Sequence, residues 1–223
     1  MNLQDAIGAA RGVTAIIGSG GKTTFLRELA RELSAGGATV ALATSTRILP
    51  FDDIPTVSGT DEAAIVRALS INGVACVAEA AEKGKLSAPA IGFVRLTALA
   101  DYVLVEADGS KRLPLKAHAP WEPVTPECAG KTILLVGTNG FGHRISGAVH
   151  RPEIFCDIAG CSPEDAATPE NVGRVLEAES LADAVIANQA ESPKEFGGAR
   201  RLADAISVPL FAGSVRAHSL IAL

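Results

Sequence analysis

Gly18-Ser19-Gly20-Gly21-Lys22-Thr23-Thr24 follows the apolar run Val13-Thr14-Ala15-Ile16-Ile17 and opens the amphipathic stretch Phe25-Leu26-Arg27-Glu28-Leu29-Ala30-Arg31-Glu32-Leu33. A strand, a glycine-rich turn and a helix N-terminus in that order are the setting in which a phosphate loop works. Glycines let successive backbone N–H groups face one anion, and the helix dipole adds partial positive charge. Lys22 is expected to neutralise the terminal phosphates of a nucleoside triphosphate, and the Thr23 hydroxyl to complete the shell of a Mg²⁺. The whole stretch from Gly18 to Thr24 reads as a nucleotide site.

A full motif carries glycine six positions before the lysine, where this chain has Ile16, so the loop is the shorter Gly-x-x-Gly-Lys-Thr-Thr. Mur-type peptide ligases carry a similar loop. Ile17, five before Lys22, stands where the signature-lysine ATPases and GTPases have a second lysine, so their trans mechanism is not expected.

Outward from the loop, apolar runs at 13–18, 38–43, 74–78, 101–107, 131–136, 184–188 and 208–212 alternate with helical patterns at 24–35, 61–70, 170–178 and 194–206. Strands apolar throughout predict a mostly parallel sheet with helices on both faces, a P-loop NTPase-like α/β fold. Thr168-Pro169-Glu170 reads as a helix start. Residues 1–223 are expected to form a single nucleotide-binding domain. Its irregular parts are Pro50 to Gly59 and the proline-rich stretch from Gly109 to Gly130.

A second chemical clue is Asp101-Tyr102-Val103-Leu104-Val105-Glu106-Ala107-Asp108-Gly109. An apolar strand ending in acids is how a phosphate-loop protein supplies the carboxylate for Mg²⁺. Glu106 and Asp108 are two apart and so share one side of an extended strand. Glu106 is assigned to the metal and Asp108 to water or acceptor positioning, making Lys22, Glu106 and Asp108 the catalytic candidates. After the second strand, Thr46 is a further metal candidate and Arg47 a phosphate contact. Asn188-Gln189-Ala190-Glu191 is similar to the Asn-Lys-x-Asp base-reading motif of GTPases. Asn188 would read a purine edge and Glu191 would accept from guanine's N–H groups. Gln189 in place of the lysine leaves ATP and GTP both open.

The stretch Gly109-Ser110-Lys111-Arg112-Leu113-Pro114-Leu115-Lys116-Ala117-His118 gathers cations directly after the metal acids. In a chain of net charge −5 that placement suggests a small anionic second substrate. Lys111, Lys116, His118, His150 and Arg151 are the expected contacts, with Arg151 able to pair two oxygens through its planar fork. The acidic balance argues against a nucleic-acid partner. Neither a signal-peptide pattern nor an apolar run long enough to span a bilayer is present, and the expected location is cytoplasmic. The scattered Cys76, Cys128, Cys156 and Cys161 are expected to be reduced, buried thiols.

Gly-x-x-Gly-Lys-Thr-Thr, Glu-Ala-Asp-Gly-Ser, Pro-Leu-Lys-Ala, Glu-Pro-Val-x-Pro and Val-His-Arg-Pro-Glu occur here in order. Over residues 13 to about 191 the chain resembles the YqeC family of selenium-dependent molybdenum hydroxylase accessory (selenium cofactor biosynthesis) proteins. The resemblance implies a cytoplasmic phosphate-loop protein acting in maturation of molybdenum hydroxylases. Residue by residue it extends to Gly18, Gly21, Lys22, Thr23, Glu106, Asp108, Lys116, Glu122, His150 and Arg151. Three functions are compatible with the whole sequence. One is a Mg²⁺- and NTP-dependent enzyme that activates a small anionic substrate. The second is a nucleotide-switched factor that docks on a client hydroxylase. The third is a Mur-like ATP-dependent ligase, against which the short chain argues.

Overall fold

The apolar runs assemble into one nine-stranded sheet in a computed structural model that describes residues 1–223. From edge to edge its strands are Ser219–Ala222, Leu210–Ser214, Ala184–Asn188, Ala129–Gly137, Gly12–Gly18, Tyr102–Glu106, Val40–Thr44, Val74–Val77 and Thr56–Val57. Neighbours are parallel except at the Ser219–Ala222 edge, which returns antiparallel.

Side-chain alternation along the central strands explains why both faces are covered. Ile16, Leu104, Leu135 and Ile186 point to one face, against Phe25, Leu26, Leu29 and Leu33 of the Lys22–Ala35 helix. Their neighbours Ala15, Ile17, Leu134, Val136, Val185 and Ala187 point to the other. There the helices Pro152–Ala159, Pro169–Glu179 and Pro193–Ala203 pack. Beyond them Val103, Val105, Ala41 and Ala43 bury Ile65 and Leu69 of the Glu62–Asn72 helix. The fold is therefore an α/β, P-loop NTPase-like one, with helices on both faces of a mostly parallel sheet.

Two helix starts read locally. Thr168 accepts from Asn171 N with Pro169 in the first turn, and Ser192 forms a reciprocal capping box with Glu195. Several short elements go beyond the sequence expectation, among them the helices Phe93–Leu96, Ile145–Ala148 and Pro152–Ala159. The Ser219–Ala222 edge strand and the five-residue Leu3–Ile7 helix are too short to show a period. The stretch from Pro50 to Gly59 also contains the two-residue strand Thr56–Val57. The segment from Gly109 to Gly130 is mostly irregular, but Leu115–Lys116 pairs in parallel with Val149–His150, which sets His150 beside Lys116. All four cysteines are free, and Cys128 is exposed and not buried as expected. Burial pushes the Cys76 thiol up to about 12.

Register fixes the functional edge. Ile16 and Thr44 both pair with Glu106, and Asn188 pairs with Gly137. The carboxyl ends of the parallel strands thus lie along one edge, which is where open α/β sheets bind ligands.

Candidate functional site

The Gly18–Thr24 turn lies against the ends of two neighbouring strands so closely that side chains are excluded. A Cβ on Gly20 (φ +83°) would sit 2.2 Å from Gly137 N, and one on Gly21 (φ +119°) 2.5 Å from Asn188 Nδ2. Asn188 Nδ2 donates to Gly20 O at 2.8 Å, while its Oδ1 accepts from Val215 N at 3.0 Å. Gly21 is the N-cap of the Lys22–Ala35 helix and offers no side chain to the helix end. The next intrahelical bond is Phe25 N to Gly21 O. The backbone N–H groups of Gly20, Gly21, Lys22, Thr23 and Thr24 donate to no acceptor in the protein. All five residues line one open cleft of about 1020 Å³. A run of unspent donors at a helix N-terminus is an anion site.

Glu106 shares the face of Leu104 and so reaches the underside of the Lys22–Ala35 helix. Thr23 Oγ1 donates to Glu106 Oε2 at 3.1 Å, and Lys22 Nζ lies 3.8 Å from Oε1. Burial pushes the Glu106 carboxyl up, and the Lys22 charge opposes that shift. A hydroxyl and a carboxylate side by side on a cleft are hard oxygen donors that suit Mg²⁺. No group of three or more His, Cys, Asp and Glu side chains is arranged to hold a metal without further ligands.

Asp108 has no exposed surface. Its Oδ2 accepts from Gly18 N at 2.8 Å and from Lys116 Nζ at 2.9 Å, and lies 2.9 Å from His118 Nε2. Its Oδ1 is 3.0 Å from Lys22 Nζ. This is a charge contact only, since Oδ1 has no hydrogen-bond partner. Lys22 Nζ donates instead to Gly18 O at 2.7 Å. Burial works to raise the Asp108 carboxyl, yet His118, Lys22 and Lys116 together hold it well below the usual carboxylate range. His118 stands between two carboxylates, with Nδ1 2.7 Å from Glu179 Oε2. Burial disfavours its charged form, but the bonds to Asp108 and Glu179 outweigh that and raise its pKa. A ring with carboxylates on both nitrogens is a doubly donating imidazolium.

The network continues to the surface. Lys116 Nζ also lies 3.0 Å from Glu122 Oε2, and Arg151 Nη2 is 3.0 Å from Glu122 Oε1. Burial works to raise Glu122, but Arg151 and Lys116 pull its carboxyl down. The Arg151 guanidinium lies 5.5 Å from the ring centre of the exposed Trp121.

The expected second-substrate residues divide accordingly. Lys111 and His150 line the cleft; Lys116, His118 and Arg151 do not, because carboxylates hold them elsewhere. Burial, with Lys116 and Arg151 near, pushes the His150 imidazole down. Thr46 Oγ1 faces Thr44 Oγ1 at 3.4 Å and is not on the cleft wall. Asn188 braces the loop, and Glu191 accepts from Ser214 Oγ at 2.7 Å.

Sequence reasoning missed Arg112, Lys85 and Arg216, which together with Lys22, Arg27, Arg47 and Lys111 make seven cationic side chains against the two carboxylates of Asp52 and Glu106. Lys111 (φ +49°) and Arg112 (φ +62°) form a left-handed turn closed by Leu113 N to Ser110 O at 3.0 Å. Such a turn favours glycine and asparagine, and each non-glycine residue held there costs roughly 1–3 kcal/mol. Ser19 Oγ donates to Leu113 O at 2.8 Å and ties this turn to the phosphate loop. Glu179, which orients His118, was also missed; its helix is 61 residues away in sequence and carries no motif.

The family model described as YqeC protein matches residues 14–153 of this chain. The chain belongs to the YqeC family. A relative described as an uncharacterized protein YqeC, from Escherichia coli (strain K12), is 33% identical over 159 residues. The match covers 68% of this YqeC-family chain and 62% of the relative's own length. Among solved structures, the signal recognition particle receptor FtsY from Elizabethkingia anophelis aligns over 95% of this chain and 60% of its own, at 17% identity and a TM-score of 0.48. FtsY from Mycoplasma mycoides aligns over 97% of this chain and 65% of its own, at 14% identity and a TM-score of 0.48. No helix of the chain is long and apolar enough to cross a membrane.

Proposed function

We propose that this protein binds a Mg²⁺–nucleoside triphosphate, ATP or GTP, and hydrolyses it or transfers its terminal phosphoryl group to a small anionic substrate. The observation that carries the reading is the run of five unspent backbone N–H groups from Gly20 to Thr24 on a cationic cleft. They surround the anion from one side, and Lys22 reaches it from the helix start. Lys22 is held ready by Gly18 O and Asp108, so the phosphate chain completes an arrangement already formed. Thr23 and Glu106 would hold Mg²⁺, which would neutralise the charge that develops on the phosphates in transfer. Asp108 acts by orienting Lys22 and fixing Gly18. The family resemblance supports a place for this reaction in selenium and molybdenum cofactor maturation of molybdenum hydroxylases, with a cytoplasmic location.

A second reading is a nucleotide-switched factor docking on a client hydroxylase. It is favoured by the unbroken series Asp108, Lys116, Glu122, Arg151 and Trp121, which joins the phosphate loop to an exposed aromatic. Turnover by the purified protein with no client present supports the enzyme over the switch.

The metal assignment is tested with Glu106→Gln. Its Mg²⁺ requirement for nucleotide binding should rise by about tenfold or more, because an amide oxygen replaces a charged one. An unchanged Mg²⁺ midpoint removes Glu106 from the metal.

A further inference from the structure

We infer that the cleft carries a second-ligand subsite on the wall formed by Arg47, Leu49, Phe51 and Lys85, and that it takes an organic anion with an apolar body. This rests on the nucleotide reading above and assigns the chemical class of its second substrate.

Strand order separates the two ends of the cleft. Gln189 and Arg216 follow the Ala184–Asn188 and Leu210–Ser214 strands, on one side of the phosphate loop. Arg47 to Phe51 follow Val40–Thr44, which lies on the other side, next to the strand that ends in Glu106. Lys22, Thr23 and Glu106 mark the terminal-phosphate end, so this wall faces the group to be transferred.

Local pairing builds the wall. Ile48 and Leu86 exchange backbone bonds, Ile48 N to Leu86 O at 3.1 Å and Leu86 N to Ile48 O at 2.8 Å, as an antiparallel bridge. That register places Lys85 opposite Leu49, with Arg47 one residue before the bridge. Nearby Arg27 and Arg31 are held by Glu28 and Asp53, whereas Arg47 and Lys85 have no carboxylate partner. Asp52 is the one acid on this wall, so its net charge is positive.

On the same wall Leu49 is 49% exposed and Phe51 is buried. An exposed leucine on this wall gains nothing from an inorganic ion, but it covers the apolar part of an organic one. Lys111 and Arg112 face the same cleft from the strained turn tied to Ser19. The whole cleft, about 1020 Å³, lies just above the roughly 300–1,000 Å³ of a single small-molecule site.

Phenyl phosphate serves as probe and inorganic phosphate as comparator, titrated into the protein loaded with Mg²⁺ and a non-hydrolysable ATP or GTP analogue. Binding is followed by calorimetry or ligand-observed NMR. Phenyl phosphate should bind with the nucleotide in place, about tenfold tighter than inorganic phosphate. Arg47→Ala and Lys85→Ala should each weaken it by about tenfold. Leu49→Ser should bring it down to the affinity of inorganic phosphate. Leu49→Ser should leave nucleotide affinity at the wild-type value. Nucleotide-loaded protein that ignores phenyl phosphate overturns the subsite, as does competition between probe and nucleotide, or wild-type probe affinity in all three variants. If no nucleotide binds, the function reading has failed on its own. The same titrations on the free protein still decide the subsite, by whether the three substitutions weaken the probe.

Discussion

Lys22→Ala should fold, yet lose nucleotide affinity and turnover by a factor of about one hundred or more, the order expected when a preorganised charged donor is removed from a phosphoryl-transfer site. Folding should survive because Lys22 is one of three cations around Asp108. With Lys22 gone, Asp108 keeps Lys116, His118 and the Gly18 N–H as partners. Binding has no such reserve. Lys22 is the one lysine at the mouth of the Gly20–Thr24 donor run, and its side chain is only 3% exposed, so solvent screens it little. Calorimetry with a non-hydrolysable nucleotide gives the affinity, and circular dichroism checks the fold. A well-folded Lys22→Ala protein with wild-type affinity would remove the loop from the mechanism.

Asp108→Ala should have the opposite signature, a large loss of stability. Its removal leaves Lys22, Lys116 and His118 close together in the interior with no shared counter-charge. Breaking a buried pair in this way costs about 3–5 kcal/mol, and here three cations lose one partner. For a chain of this length that corresponds to a fall in Tm of about 6–20 °C. Asp108→Asn keeps the shape and an acceptor for Gly18 N, so it should fall between alanine and wild type. Denaturant unfolding of the three proteins measures the series. A loss below about 1 kcal/mol for Asp108→Ala would show that the buried cluster is not coupled as the distances indicate.

This contrast bears on how far the sequence could be read. Lys22, Thr23, Glu106 and Asp108 were legible because a strand period and a loop motif locate them independently, and the register of Ile16 with Glu106 then brings them together. The sheet was legible too, since strands covered on both faces read as continuous apolar runs. What the sequence hid was the difference between a cation that lines a cleft and one spent on a buried acid. Lys111 and Lys116 are five residues apart and look alike in the sequence. One faces the cleft, and the other is taken up by Asp108, Gly109 O and Glu122. Arg151 looked like an anion fork, but its fork is turned to Glu122. Only the pairing of Leu115–Lys116 with Val149–His150 and the distant Glu179 decide these outcomes, and neither leaves a local pattern. Asn188 shows the same limit. Its motif suggested a base reader, whereas its amide is shared between Gly20 O and Val215 N.

The central claim, that the Gly20–Thr24 donors and Lys22 form a Mg²⁺–nucleotide site, is tested most directly by titrating the wild-type protein with non-hydrolysable ATP and GTP analogues, each with and without Mg²⁺. The account predicts saturable binding of at least one of them at one site per chain, strengthened by Mg²⁺ and absent from Lys22→Ala. Failure of both analogues to bind a folded wild-type protein in the presence of Mg²⁺ would contradict it.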